Sequence, residues 1–222
     1  TPTHTLSLHD ALPIWSLLNM SDEHCILAMS WLIGAANPDG PFPVLVLEGE
    51  HGVGKSTVAR MLRQILDPSS SMIRSQPRKP LDLMVQAHNS WFLVYDNLSS
   101  IPEWFSDSLC MLATGGGFSN RQHYTNKDEN IFEAKRPIIL NGIDGPVSRE
   151  DLLDRAIKCY LEKIPDASRL PERVIWDDFE GIHPYILGAI CNAVSAALKN
   201  ETTIDISGLP RMADFVRWVA AA

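Results

Sequence analysis

The sequence has few cysteines, and their spacing excludes two classes of small stabilised domain. Its 222 residues include four of them, Cys25, Cys110, Cys159 and Cys191. They lie far apart and form no C-x-x-C pair, so the pattern indicates neither a disulfide framework nor a zinc site. We therefore predict reduced thiols in a cytoplasmic protein.

The sequence also lacks an excess of positive charge and long apolar runs. There are 27 acidic residues against 19 lysines and arginines, which gives a net charge of −8. Contact with DNA would therefore depend on a local basic patch, because the overall field repels phosphates. No uninterrupted apolar run approaches the ~20 residues that a membrane span requires. We predict a soluble protein with no membrane partner.

The first residues carry a pattern that is foreign to the rest of the chain. Residues 5–14 read TLSLHDALPI, which is the translation of a common sequencing-adapter oligonucleotide. We therefore expect residues 1–14 to be an artefact and exclude them from the fold. We divide the remainder into a core, residues 15–165, and a helical lid, residues 166–222. Because the chain stops inside an apparent helix, we expect the lid to be truncated.

The most informative stretch is residues 44–57, which reads VLVLEGEHGVGKST. A short apolar strand leads into G-x-x-x-x-G-K-S, and an amphipathic helix follows. Such a loop curls its backbone N–H groups around phosphate oxygens at a helix N-terminus, and its lysine reaches the β- and γ-phosphates. The Ser56 hydroxyl would bind Mg²⁺. We predict a nucleoside triphosphate site made by Gly49, Glu50, His51, Gly52, Val53, Gly54, Lys55, Ser56 and Thr57.

Three further apolar segments read as buried strands, residues 91–95, 137–141 and 156–161. Helical patterns separate them. We therefore predict an α/β fold in which helices cover both faces of a parallel sheet. From Pro171 onward the pattern is only helical, which predicts the lid.

Polar side chains follow or end two of these strands. Asp96 follows the second strand, where a carboxylate can hold Mg²⁺ together with Ser56. The alternative is an aspartate in a strand-end turn. Asn141 ends the third strand and can contact the attacking water or the γ-phosphate. It can equally be a turn residue before Gly142.

With these motifs in this order, the chain resembles the AAA+ ATPases. The closer likeness is to superfamily 3 helicases and to the ATPase domains of phage and plasmid primase-helicase proteins. Residues 49–56 match Walker A, FLVYDN around Asp96 matches Walker B, and PIILNGID matches motif C with Asn141 as sensor 1. The resemblance implies an AAA+ P-loop ATPase, helicase-like, that uses ATP and Mg²⁺ in DNA replication of a phage or mobile element. It also implies a homo-oligomer, a hexameric ring, acting on single-stranded DNA.

The sequence departs from this resemblance at Asn97. Many such ATPases have a glutamate there that activates water. An amide cannot accept a proton, although it can orient water. Slow hydrolysis is therefore expected, with Glu48, Glu50 or Asp96 helping to position the water.

The resemblance also assigns roles to two arginines. Arg155 would be an arginine finger that acts on a neighbouring subunit. Its alternative role is an ion pair with Asp151 or Asp154. Arg211, at the start of a lid helix, would be a sensor 2 residue that reaches the γ-phosphate.

Between Walker B and sensor 1, residues 114–124 read TGGGFSNRQHY, which matches a segment that forms a DNA-contacting hairpin in superfamily 3. We predict a protruding hairpin over residues 118–133. Arg121, His123 and Lys127 would contact a nucleic-acid backbone, and Tyr124 would stack on a base. The alternative is a solvated polar loop.

Two other functions fit the same motifs. A nucleotide-bound switch or scaffold would hydrolyse ATP slowly and would not translocate DNA. A P-loop kinase would transfer phosphate to a small molecule. The long insertion between Asp96 and Asn141 and the absence of a lid arginine cluster count against the kinase.

Overall fold

The computed structural model describes residues 14–121, 129–142 and 145–222. Its strands are β1 (Val44–Glu48), β2 (Leu93–Leu98), β3 (Gly116–Arg121), β4 (Glu129–Ala134), β5 (Ile138–Gly142) and β6 (Ala156–Tyr160). Four of them form a central sheet in the order β2-β5-β1-β6, in which every pair of neighbours is parallel. Strands β3 and β4 form a separate antiparallel hairpin.

Helices separate the strands of the sheet and then continue alone to the end of the chain. One 3₁₀ turn, Asp166–Ser168, lies between β6 and the seventh helix. The helices are α1 (Trp15–Leu18), α2 (Asp22–Ala35), α3 (Lys55–Leu66), α4 (Pro80–Asn89), α5 (Glu103–Thr114), α6 (Glu150–Leu153), α7 (Glu172–Asn200) and α8 (Ala213–Ala221).

The alternation of side chains along β1 divides the core into two layers. Leu45 and Leu47 pack with α2, α3 and the first half of α7, whereas Val44 and Val46 pack with α4, α5 and α8. All four are completely buried, as expected for a parallel strand covered on both faces. The predicted α/β fold, a parallel sheet flanked by helices, is therefore confirmed. The division at residue 165 stays a prediction.

Strand β2 differs from its predicted extent. The apolar run predicts a strand over residues 91–95, but the strand runs from Leu93 to Leu98. Its pairing with β5 is irregular between Tyr95 and Leu98, and Asn97 there has a positive φ of 57°. An irregularity of this kind re-aims side chains at the end of a strand. The sequence analysis ended this strand before Asp96 and Asn97 because these polar residues interrupt the apolar pattern.

The antiparallel pair β3–β4 runs from Gly116 to Ala134, so it begins before and ends after the hairpin that is predicted over residues 118–133. Its register runs from Gly116 opposite Ala134 to Arg121 opposite Glu129. The tip, with His123, Tyr124 and Lys127, lies outside the described residues. The hairpin is thus confirmed in its backbone, and its predicted contacts with nucleic acid stay predictions.

Of the described helices, α7 is the one that is long and apolar enough, by length and composition, to cross a membrane. The sequence analysis did not find it because polar residues interrupt its apolar stretches. Core helices of soluble proteins pass the same test, so this is weak evidence for a span. Phe179, Ile186 and Ile190 of this helix are buried against the sheet layer that contains α3.

Helix α8 is held against α2 by close packing. The indole N–H of Trp218 donates to the carbonyl of Ile33 at 3.1 Å, in a buried position. The ring of Phe215 lies directly over Gly34, in the space that a Cβ would take. The absence of a side chain at Gly34 therefore permits this contact.

We predict opposite effects of alanine at two helical glycines. Gly34→Ala should lower the free energy of unfolding by about 1–3 kcal/mol, because the new Cβ overlaps the Phe215 ring. The matched change Gly188→Ala in α7 meets nothing within 4 Å and should raise it by up to ~1 kcal/mol through helix propensity. Urea unfolding of both variants measures the two values. Equal effects would contradict the packing of α8 on α2.

Candidate functional site

Residues 49–57, which follow β1 and include the first three residues of α3, are called the glycine loop below. Gly49, Gly52 and Gly54 all have positive φ, at 145°, 74° and 91°. Side chains rarely adopt this conformation, so the glycines permit the curled path of the loop. The loop ends at the N-terminus of α3, where backbone N–H groups are unpaired within the helix and favour anions.

Lys55 lies inside the curl of this loop. Its Nζ donates to the carbonyl oxygens of Gly49 and Glu50, each at 2.7 Å. The residue is only 8% exposed although it begins a helix. The loop therefore holds a positive charge at its centre, as the sequence predicts.

Three polar side chains from different elements meet beside Lys55. The Ser56 hydroxyl donates to Asp96 Oδ1 at 3.0 Å. The Asn141 amide donates to the same Asp96 oxygen and to Ser56 Oγ, the latter at 3.3 Å. This set, Ser56, Asp96 and Asn141, is called the polar triad below. It matches three residues that the sequence assigns to one site.

The sheet explains why the polar triad forms. Strands β2 and β5 are parallel neighbours, so their carboxyl ends meet at one edge. Val94 and Ile139 face the layer of α3, and alternation sends Asp96 and Asn141, two residues further on, to the same side. Ser56 in the first turn of α3 lies at that edge.

Asn97, the residue after Asp96, has an unusual backbone conformation. Its φ of 57° is in the left-handed region, and its N–H donates to Asp96 Oδ1 at 3.0 Å. Asparagine tolerates this conformation better than most residues. The asparagine at this position therefore has a conformational reason that is independent of any role in catalysis.

The two glutamates that the sequence offers as helpers lie away from the polar triad. Glu48 follows Leu47 on the opposite face of β1, where it pairs with Lys158 at 3.5 Å. Glu50 pairs with Lys163 at 3.6 Å. Neither lines the cleft that the triad opens into.

That cleft has a volume of about 760 Å³. One wall consists of residues 51–57 of the glycine loop and the polar triad, together with Asn97. The other wall comes from the segment after β6 and from the start of α7. The sequence analysis did not assign its residues, which are Ile164, Arg169, Leu170, Glu172 and Ile175. The sequence does contain a signal for this wall. The segment follows β6, a strand parallel to β1, and parallel neighbours end at the same edge of a sheet.

Arg155 lies at the other edge of the sheet. Its carbonyl accepts from the N–H of Val44, the first residue of β1. Five strand residues, or about 16 Å, separate that level from the glycine loop. Its guanidinium pairs with Asp151, and this hydrogen bond lowers the pKa of the Asp151 carboxyl below its ordinary value. Arg155 therefore lies far from the cleft of its own chain.

Arg211 belongs to the same cluster. Its guanidinium contacts Asp154 at 3.2 Å and Asp151 at 3.6 Å. It does not line the cleft, so the structure does not bring it to the site that the sequence assigns to it. Arg211 lies two residues before α8, and α8 packs on α2 and in the layer of α5 rather than on the glycine loop, so the arginine lies at the amino edge.

The fold and cleft define an α/β protein whose parallel sheet presents a polar site at its carboxyl edge. The family model of the actinomycete integrative conjugative element replication protein matches residues 13–222. The chain belongs to this family. A role in DNA replication of a mobile element, as the sequence predicts, is therefore supported at the level of the family. Curated protein sequences give no match.

Among solved structures, the chain is similar to the NrS-1 C-terminal region in apo form. One such structure has a TM-score of 0.54 at 18% identity, covering 79% of this chain and 45% of that one. A second has a TM-score of 0.52 at 16% identity, covering 80% and 46%. The chain thus spans less than half of these relatives, and the likeness concerns the fold. A JCV helicase structure, with a TM-score of 0.36 at 12% identity over 98% of this chain and 68% of that one, is too distant to carry an argument.

We predict that two acidic substitutions at position 97 differ in their effect on the free energy of unfolding. Asn97→Glu should lower the free energy of unfolding by about 1–2 kcal/mol, because glutamate is strained at positive φ. Asn97→Asp should remain near the wild type, because aspartate tolerates this backbone. Urea unfolding of the two variants tests this difference. If both variants are equally stable, the backbone argument is wrong.

Proposed function

We propose that the protein binds and hydrolyses ATP with Mg²⁺ as a helicase-like AAA+ P-loop ATPase in DNA replication. The observation that carries this proposal is the polar triad beside Lys55. A lysine inside a glycine loop, a hydroxyl in the first turn of the next helix and a carboxylate on a parallel strand are the groups that phosphoryl transfer needs. The replication family is consistent with this activity.

The residues of the cleft fit a Mg²⁺ ion and a triphosphate. Ser56 and Asp96 present oxygen atoms 3.0 Å apart, and oxygen is the ligand that Mg²⁺ prefers. They would hold the ion, which would neutralise charge on the β- and γ-phosphates. Lys55 would exchange its two carbonyl acceptors for phosphate oxygens, and the loop N–H groups would bind others.

The remaining cleft residues would orient water rather than activate it strongly. The Asn141 amide already donates at the polar triad, so it can hold a γ-phosphate oxygen or the attacking water. Asn97 cannot accept a proton. Besides Asp96, the carboxylate that lines the cleft in the described part of the chain is Glu172, and Arg60 pairs with it at 3.1 Å. We therefore expect slow basal turnover.

This shortage of a free carboxylate favours one alternative function. A nucleotide-bound switch or scaffold needs tight binding and little hydrolysis, and the same cleft would provide both. The helicase-like function instead requires that DNA accelerates turnover. Stimulation by single-stranded DNA therefore separates the two functions.

We predict that Lys55→Ala abolishes hydrolysis without unfolding the protein. Its Nζ donates to two carbonyls of the glycine loop, and its charge is placed for phosphate oxygens, so we expect the loss to fall on phosphate binding. ATP turnover with and without single-stranded DNA is measured for the wild type and the variant. The control Lys199→Ala removes the same charge at the end of α7, far along the chain from the cleft.

Three outcomes of this experiment decide the proposal. DNA-stimulated turnover that is lost only in Lys55→Ala supports the helicase-like ATPase. Nucleotide binding by the wild type with slow, unstimulated turnover supports the switch. Equal turnover in the wild type and Lys55→Ala contradicts both.

Arg155 belongs to the proposed function through its predicted role in trans. We expect Arg155→Ala to leave ATP binding intact and to lower turnover in the assembled protein by about 10³–10⁵, the range of a missing arginine finger. Mixing it with Lys55→Ala should restore some activity. The control is Asp151→Ala, which removes the partner of Arg155 and keeps the arginine. Normal turnover in Arg155→Ala would leave the ion pair with Asp151 as its role.

A further inference from the structure

The segment of residues 162–171, called the strap below, crosses the glycine loop between β6 and α7. The Asn19 amide ties the two together, because its Nδ2 donates to the carbonyl of Val53 at 3.1 Å and to that of Glu162 at 2.6 Å. An ion pair between Lys163 and Glu50 adds a second link. The strap is therefore fixed relative to the loop at its first residues.

Arg169 lies on this strap, directly over the middle of the glycine loop. A Cβ built on Gly52 would be 3.2 Å from Arg169 Nη1 and 3.7 Å from Nη2. The guanidinium also lines the cleft together with Lys55 and the polar triad. A glycine at position 52 thus leaves the space that the guanidinium uses.

The present partner of Arg169 is weakly held. Its Nε donates to Asp166 Oδ1 at 3.1 Å, and the Asp166 side chain is 98% exposed. Exposed ion pairs of this kind contribute about 0–1 kcal/mol. A phosphate group in the cleft could therefore replace Asp166 at little cost.

The charges of the cleft are consistent with this role of Arg169. Lys55 and Arg169 are the cations among the described residues that line it, and Asp96 and Glu172 are the carboxylates. A triphosphate with one Mg²⁺ is still anionic, so Lys55 and Arg169 are the lining side chains that could oppose its remaining negative charge. The planar guanidinium fork suits phosphate oxygens in particular.

We propose that Arg169 binds the phosphates of the nucleotide held by its own chain, as a second cation in addition to Lys55. This inference rests on the proposed function, because it concerns the same cleft. It assigns to the strap a direct part in nucleotide binding. Arg155 and Arg211, at the opposite edge of the sheet, do not have this role in their own chain.

The test compares nucleotide affinities of Arg169→Ala, Arg169→Lys and a control. The control Arg173→Ala removes the same charge four residues later, where the arginine pairs with Asp177 outside the cleft. Calorimetry with Mg²⁺ measures the affinity of each protein for ATP, ADP and AMP. Urea unfolding in the absence of nucleotide measures stability.

We expect Arg169→Ala to weaken ATP binding about 10- to 100-fold, the size of a lost hydrogen bond to a charged group. The effect on AMP should be smaller, and Arg169→Lys should restore part of the ATP affinity. Arg173→Ala should bind all three nucleotides as the wild type does. Unfolding should be unchanged in every variant, because the ion pair that Arg169 forms in the described part of the chain is with an exposed aspartate.

The contrary outcomes are distinguishable. If the wild type does not bind ATP, the proposed function fails and the inference fails with it. If the wild type binds and Arg169→Ala binds equally well, the inference alone is wrong. A loss of affinity equal for ATP and AMP would also overturn it, because AMP lacks the β- and γ-phosphates that Lys55 would contact. A loss of the same size in Arg173→Ala would overturn it too, because that arginine lies outside the cleft.

Discussion

Asp96 Oδ1 accepts hydrogen bonds from Ser56, Asn141 and the N–H of Asn97. This one oxygen joins the ends of α3, β2 and β5, and its position depends on the parallel pairing of the strands. An antiparallel neighbour would present its amino end at this edge, and Asn141 would then lie at the far side of the sheet. The chemistry available in the cleft is therefore a consequence of strand direction, and strand direction follows from the helical crossovers.

The opposite end of α3 is fixed by a buried guanidinium. Arg63 is 1% exposed and donates to the carbonyl oxygens of Asp67, Ser71 and Met72. It also pairs with the Asp67 carboxylate, which accepts from the N–H of Phe92 just before β2. Burial lowers the pKa of Arg63, and the Asp67 charge counteracts that effect. Helix α3 is thus held against β2 at its end, so Ser56 at its start faces Asp96.

The sequence predicts the core of this arrangement because the relevant signals are local. A glycine-rich turn between an apolar strand and an amphipathic helix needs no tertiary information, and Asp96 and Asn141 are marked by the strands that they follow or end. Helix α2 was predictable in the same way, since Ser21 caps it and accepts from the N–H of His24 at 3.4 Å. The sequence pattern alone thus predicts that these helices and strands exist and that Asp96 and Asn141 meet at one edge of the sheet.

Other features depend on contacts between distant segments, which pattern does not reveal. Arg169 lies in an exposed, proline-flanked loop. The start of this loop is held by contacts with Asn19, 143 positions before Glu162, and with Glu50. Arg211 follows a helical pattern that says nothing about which edge of the sheet α8 will reach. Its neighbour Met212 and then Phe215 join the layer of α5, and this packing carries the arginine to the Asp151 cluster.

Basic residues near the sheet form two groups at its opposite edges. The carboxyl edge holds Lys55 and Arg169, which face one cleft within a single chain. The amino edge holds Arg155 and Arg211, about 16 Å away along β1, with Asp151 and Asp154 between them. Any phosphate that the second pair contacts must therefore belong to another molecule. A sheet of five-residue strands is long enough to keep the two groups apart, so a substitution in one group leaves the contacts of the other in place.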